Sequence, residues 1–376
     1  MNTDSQKVEF LYLSEQDMIK AGVLNAKRCV EVMDETFRLL GKGDYLMGGP
    51  DIDSHGLMIF YPATSEFPNM PLAGPDRRYM AMPAYLGGRF NITGVKWYGS
   101  NRANIEKGLP RSILMLSLND ADTGAPVSIM SANLLSAMRT GSVPGVAAKY
   151  LANSSAENLG VIGCGVINRA CTRAILENMP RAKRLFLCDL VPEQIEKFAS
   201  ELKGEYDVEC IVAELEQTVR NADIITTAVS GKDGVYIDPD WLKPGCLLTS
   251  SGAMNLPDKA FLDNTVAFDL WSMHKLWLKE ALEHKDGLDF GLAWGATSAA
   301  VLKALHAGKL KSDSFISLAD VSAGKGKGRT SEEEIIIFYS GGLPVEDLAW
   351  GVECYEQAKK LGLGNTNKVW DQAHWR

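Results

Sequence analysis

LGVIGCGVIN, residues 159–168, decides the reading of this chain. A short apolar run ends in Gly163-Cys164-Gly165, and the segment that follows, NRACTRAILENM, carries helical spacing. The first glycine permits a tight turn. The second lets the backbone approach a pyrophosphate, which rests on the positive end of the next helix. Gly163, Gly165, Val166 and Ile167 are therefore candidate contacts of a dinucleotide. The third fingerprint position is Asn168 instead of Gly or Ala, so the pattern is GxGxxN and draws its weight from context. The next apolar run, residues 184–188, ends in Asp189, where a carboxylate can accept from both ribose hydroxyls of an adenosine. The same charge would repel a 2′-phosphate, so NAD is expected ahead of NADP.

Downstream the grammar repeats. Strand-like RLFLCD, VECIVA, ADIITTAV and CLLTSSG alternate with helix-like PEQIEKFASEL, which implies βαβ units and a parallel, doubly wound sheet over roughly residues 153–325. Upstream the texture differs. Cys29, Met33, Phe37 and Leu40 follow helical spacing and end at Gly41. Between residues 56 and 130, short aliphatic and aromatic runs separated by Gly, Pro and Asn-Asp predict an antiparallel β layer. SANLLSAMRTGSVPGVAAKYLA, residues 131–152, reads as a connecting helix that Pro144 should kink or divide.

Composition narrows the function classes. Lys and Arg number 39 against 47 Asp and Glu, a net charge of -8 that argues against phosphate backbones, so no nucleic-acid partner is expected. No apolar run approaches the roughly 20 residues needed to span a bilayer, and MNTDSQKVEF lacks a basic segment followed by an apolar one; neither a membrane partner nor export is expected. Seven scattered cysteines without a CxxC pair predict reduced thiols in a cytoplasmic protein, and five histidines without ligand spacing predict no metal.

Cationic side chains beside glycine-rich turns form a second constellation: Arg77 and Arg78, Lys96 between Val95 and Trp97, and Arg139 between Met138 and Thr140. A guanidinium clasps a carboxylate through two parallel hydrogen bonds and an ammonium adds a point charge, so the set suits an amino-acid or keto-acid substrate.

These segments carry a resemblance that runs over most of the chain. MPAY at Met82, the Lys96 strand leading to Lys107-Gly108-Leu109-Pro110, and Asp122-Thr123-Gly124-Ala125-Pro126 come first. Ser136-Ala137-Met138-Arg139-Thr140, the Gly163 loop, and Gly328-Arg329-Thr330-Ser331 running on to Phe338, Ser340, Gly341, Glu346 and Asp347 follow. In this order they resemble the ornithine cyclodeaminase/mu-crystallin family. The resemblance implies an α/β chain: a Rossmann-type doubly wound NAD(P)-binding domain, residues 151–340, plus an α+β domain, residues 1–150 and 341–376, that binds a small amino-acid or imino-acid substrate and pairs subunits into a homodimer. It implies that Lys96 and Arg139 lie around the substrate carboxylate and nicotinamide, with Arg78 and Gly341 as further substrate contacts. Thr140, Gly252, Ala253, Lys259, Ser340, Arg111, Arg139 and either Thr226 or Thr227 are implied near the cofactor.

Two departures from the family pattern bear on chemistry. Asn255 stands where the cyclodeaminases carry a carboxylate; it is a candidate catalytic residue beside Lys96, but an amide orients without titrating. The arginine that the family places for the substrate carboxylate is absent from residues 48–55, where Arg77, Arg78 or Arg111 could substitute for it and Asp51, Asp53 or His55 could supply acid/base function. The expected chemistry is hydride transfer between the α-carbon of an amino acid, or a cyclic imine, and nicotinamide. Ornithine or lysine cyclodeamination to proline or pipecolate, and a mu-crystallin-like ligand-binding protein, are the alternatives. The stretch 271–302 exceeds what the family needs, and its alternating charge reads as a solvated helix, with a lid over the cofactor as the functional alternative.

Overall fold

The computed structural model describes residues 7–229, 234–293 and 296–375. They form two compact units, the first drawn from residues 7–25, 44–136 and 343–375 and the second from the described residues of 26–43 and 137–342.

In the first unit, turn-separated apolar runs pair into one sheet in the order Asn365–Trp370, Val8–Leu13, Pro126–Ser131, Ser112–Asp120, Ile92–Ser100, Arg78–Leu86 and Tyr45–Met47, with Leu57–Phe60 also pairing Arg78–Leu86. Neighbours are antiparallel except Val8–Leu13 beside Pro126–Ser131, which is parallel. Side chains alternate across the pleat. Met80, Met82, Ala84, Leu86, Leu116 and Leu118 are buried on one face. The helix Pro344–Lys360 lies over it so closely that a Cβ on Gly351 would fall 2.4 Å from Leu116 Cδ2, and one on Gly94 2.8 Å from Leu348 Cδ2. Lys96 shares this covered face. The opposite face carries Leu57, Ile59, Tyr79, Trp97 and Ile113, all exposed.

The second unit is a wholly parallel sheet in the order Glu209–Val212, Arg184–Cys188, Asn158–Ile162, Ile224–Thr227, Leu247–Ser250, Ile336–Tyr339, Thr265–Phe268, Ile316–Ser317. The strands run outward in both directions from Asn158–Ile162, so the loops after it and after Ile224–Thr227 diverge and leave a crevice at their carboxyl ends, where such sheets take ligands.

The structure moves the sequence boundary in two places. The helix Ala26–Lys42 belongs with the second unit, because it packs on Leu318–Ser322: a Cβ on Gly41 would meet Ala319 O at 2.1 Å, and Lys325 Nζ donates to Gly41 O at 2.6 Å. Its Asp34 is buried and accepts from Lys149 Nζ and Tyr150 Oη at 2.9 and 2.7 Å. From residue 137 onward the helix Asn133–Leu151 also joins this unit. That helix is not divided at Pro144. A Cβ on Gly141 would fall 2.5 Å from Ala170 Cβ, and one on Gly145 2.6 Å from Ala174 O, so it crosses the helix Val166–Leu176 backbone against backbone.

Candidate active site

The glycine turn is built as the sequence predicts. Gly163 has φ +88°, a left-handed conformation that favours glycine, and its N–H donates to Cys188 O at 2.8 Å. Gly165 caps the helix Val166–Leu176; a Cβ there would meet nothing within 4 Å, so the space over the helix N-terminus is open for a pyrophosphate. Asp189 accepts from Cys164 N at 2.5 Å through one oxygen and from Val191 N at 2.9 Å through the other. Both bonds fix the carboxylate and leave acceptor capacity for ribose hydroxyls. Val166, Leu190, Val191 and Val212 expose apolar surface around this turn and the neighbouring strand ends. The cradle fits a dinucleotide. The Cys164 thiol beneath it is fully buried and pushed up to about 12, first by burial and then by Asp189, so it stays neutral.

Asn168, the departure from the fingerprint, has a clear structural role. Its fully buried amide donates to Ile162 O at 2.9 Å, Gly163 O at 2.8 Å and Thr226 O at 3.2 Å, and its oxygen accepts from Thr226 Oγ1 at 2.7 Å. It staples the glycine turn to the neighbouring strand. The Thr226 hydroxyl is engaged there, inside the unit.

A second turn follows the strand Ile336–Tyr339. Ser340 Oγ donates to Ser250 O at 3.1 Å and lies 3.2 Å from Ser251 Oγ, while Ser250 Oγ donates to Gly252 O at 2.8 Å, so Ser340 and the Gly252–Ala253 segment form one network. Asp269 Oδ2 accepts from Gly341 N at 2.5 Å and Gly342 N at 3.3 Å. Its other oxygen meets His274 Nε2 at 2.8 Å, and His274 Nδ1 meets Ser298 Oγ at 2.7 Å. Asp269, His274 and Ser298 are fully buried. Gly342 has φ +77°, and a Cβ on it would fall 2.7 Å from Arg139 Nη1, so the buried Arg139 guanidinium is lodged against this turn. The stretch expected as a solvated helix is therefore half structural. Trp271–Glu283 buries Met273, His274, Leu276 and Ala281, and a Cβ on Gly341 would strike Met273 Cε at 2.3 Å and the Trp277 ring at 2.6 Å. Gly341 is packed from this side.

In the first unit Lys96 and Asp347 form an ion pair, Nζ to Oδ2 2.7 Å, with 2% and 0% of their side chains exposed. Lys96 Nζ also lies 3.4 Å from Ser136 Oγ. Asp347 stands in the first turn of the helix Pro344–Lys360, where the helix dipole favours a carboxylate. Arg78 and Arg111 both bind Asp76, the latter at 2.8 Å. In the 48–55 segment, Asp53 accepts from Tyr45 Oη at 2.6 Å.

The structure thus groups Gly163, Gly165, Val166, Ile167 and Asp189 at one turn, and Ser340, Gly341, Gly252 and Arg139 around the other. It does not bring Lys259 to either: that side chain is exposed and binds Asp240 at 2.6 Å, which raises its pKa. Asn255 is exposed on the short strand Met254–Asn255, and Thr140 is half-buried on the Arg139 helix. Sequence reasoning assigned no role to Asn168 as a staple or to Asp347, which it named only for the family resemblance, and it passed over the Asp269–His274–Ser298 chain. A carboxylate ending a Rossmann strand was the available signal for Asp269, the signal that identified Asp189.

Fold and loop define a dinucleotide-binding α/β protein with a separate α+β unit. The chain belongs to the ornithine cyclodeaminase/mu-crystallin family, whose model matches residues 23–362. It is 28% identical over 363 residues to N-((2S)-2-amino-2-carboxyethyl)-L-glutamate dehydrogenase of Staphylococcus aureus, covering 95% of this chain and 98% of that one. It is 31% identical over 294 residues to alanine dehydrogenase of Archaeoglobus fulgidus, covering 77% and 83%. Among solved structures it is similar to Δ1-pyrroline-2-carboxylate reductase of Thermococcus litoralis in complex with NADH and L-proline, at TM-score 0.76 and 25% identity, covering 95% and 99%. Among the described residues no helix is long and apolar enough to cross a membrane, and no group of three His, Cys, Asp or Glu could hold a metal.

Proposed function

We propose that the protein is an NAD-dependent amino-acid or imino-acid oxidoreductase, acting as a dehydrogenase or, in reverse, an imine reductase, and not as a cyclodeaminase. The observation that carries this is the buried Lys96–Asp347 pair on the covered face of the first unit's sheet. Away from water, an ammonium held by a carboxylate is a positioned proton donor and a strong electrostatic partner for a substrate carboxylate or imine nitrogen. The relatives that are dehydrogenases or reductases of amino and imino acids support the reading. A bound nicotinamide supplies the hydride acceptor or donor. The chain's own contribution is orientation: Gly163, Gly165 and Asp189 for the dinucleotide, Arg139 and the Ser340 turn for what lies beyond it, and Lys96 for the proton. Asn255 argues against cyclodeamination, since an exposed amide cannot deprotonate a second amine.

The assay is initial NAD reduction with a panel of amino acids, and NADH oxidation with cyclic imines or keto acids plus ammonia. Absorbance change with at least one is expected; proline and ammonia formed from ornithine with no net NADH would overturn the proposal. For cofactor choice, Asp189→Ala is expected to raise the NAD dissociation constant about tenfold and the NADP constant less, as one charge-assisted contact to ribose is lost. Equal losses in calorimetry would defeat the preference.

The same proposal includes a homodimer through the outer face of the first sheet. Trp97 pairs across the ladder with Ala81 and Met115, and Tyr79 with Ile59 and Gly99, whose other neighbour is Ile113, giving a contiguous apolar surface of the kind that marks an interface. Trp97→Glu at its centre is expected to shift the sedimentation coefficient from dimer to monomer at micromolar concentration. A monomeric native protein would contradict it.

A further inference from the structure

Three strands of the first unit bring a second set of cations to the face that carries Lys96. Lys96, Tyr98 and Ser100 alternate along Ile92–Ser100 and so share one face, and Arg78, Ser100 and Ser112 stand opposite one another across the ladder. The Lys96 ammonium lies 5.9 Å from the centre of the Tyr98 ring and the Arg78 guanidinium 5.7 Å from the same centre. One ring therefore separates the buried ammonium from the first guanidinium. Asp76 holds the rest together: Arg78 binds one of its oxygens, while Arg111 at 2.8 Å and Ser100 Oγ at 2.6 Å bind the other. Ser112 Oγ supports Ser100 Oγ at 3.0 Å. Asp76 has φ +53°, a left-handed conformation uncommon for a residue with a side chain, so the loop holds this carboxylate where it faces both arginines.

The charges do not cancel. One carboxylate faces two guanidiniums, each with five donors, and its oxygens are shared with Ser100 as well. Burial and the neighbouring Arg78 lower the Arg111 pKa, an arrangement that an added anion would relieve. Both side chains keep access to solvent, 21% for Arg78 and 51% for Arg111, in contrast to the 2% of Lys96. Paired guanidiniums with open edges suit a planar, bidentate oxyanion.

We infer that Arg78 and Arg111, set by Asp76, form a second carboxylate subsite one aromatic ring away from Lys96, so that the preferred substrate is an amino or imino acid bearing an additional carboxylate on its side chain. This rests on the amino-acid reading above and narrows it to acidic substrates.

The test is equilibrium binding to the full chain saturated with NADH, using glutarate and valerate, five-carbon acids with two carboxylates and one. Glutarate is expected to bind at least 30-fold more tightly, and Arg78→Met and Arg111→Met are each expected to cut that ratio about tenfold, the effect of losing one charge-assisted contact. Both ligands are read on the same sample, so a misfolded fraction leaves the ratio unchanged. Arg78→Lys, which keeps the charge without the fork, is expected to fall between. Equal binding of the two acids overturns the inference, and so does a ratio unmoved by either arginine. An Arg111→Met effect confined to the NADH dissociation constant also overturns it, by assigning that guanidinium to a cofactor phosphate. Turnover separates this inference from the broader reading: glutarate selectivity without activity on any amino or imino acid would leave the subsite and remove the oxidoreductase, whereas activity with no acidic preference would do the reverse.

Discussion

Lys96→Met is expected to lower kcat/KM by about 10²–10⁴-fold, the range for removing a positioned proton donor, while the NAD dissociation constant changes by less than about twofold. The two readouts separate because Lys96 lies in the first unit and the glycine turn in the second. A stability effect accompanies them. Asp347 is wholly buried opposite the ammonium, and removing one partner of such a pair costs about 3–5 kcal/mol, visible as an earlier denaturation midpoint. Stability loss could masquerade as loss of function, so the double variant Lys96→Met/Asp347→Leu is the control. Two apolar side chains of similar size replace a buried ion pair at little or no cost, and most of the stability should return while turnover stays low. Recovery of turnover in the double variant would show that the lysine serves only to neutralise Asp347, and the proposed chemistry would be wrong.

Asn168→Gly, which brings the loop closer to the familiar glycine-rich fingerprint, is expected to damage the protein. The amide it deletes bonds the carbonyls of Ile162, Gly163 and Thr226 and the hydroxyl of Thr226, all but the Gly163 bond in a fully buried setting. Buried polar groups left without partners cost about 1–3 kcal/mol each, and glycine inside a helix adds about 0.5–1 kcal/mol, so a loss of at least about 3 kcal/mol is expected in urea denaturation. NAD binding should weaken as well, because Gly163 loses its tether. A variant as stable as the parent and binding NAD more tightly would mean that the staple is incidental.

These two residues illustrate what could be read in advance. The glycine turn and the alternation around it were legible because hydrophobic period and turn chemistry are local signals. Lys96 stood out for a similar reason, a charge between Val95 and Trp97 in a strand. The meaning of Asn168 was not legible, since its partner Thr226 lies 58 positions away and only the sheet order brings them together. Asp269 holds Gly341 across 72 positions, and His274 completes that link from a helix whose alternating charges suggested solvent on all sides. That residues 26–43 cluster with the second unit rests on an equally distant fact: the space that Gly41 leaves free is occupied by Ala319. Charge pattern reports the wet side of a helix and says nothing of what the dry side holds.

The crossing of Asn133–Leu151 on Val166–Leu176 sets a limit for anyone redesigning this protein. With Gly141 and Gly145 seated on Ala170 and Ala174, no side-chain layer separates the two rods, and a single added methyl must pry backbones apart. The arginine at 139 rides on one rod and the Gly163–Gly165 turn precedes the start of the other, so the close crossing sets the spacing between them. Laboratory evolution toward new substrates should therefore leave these four small residues alone and accumulate its changes where the chain tolerates bulk, at the half-exposed guanidiniums of the other unit.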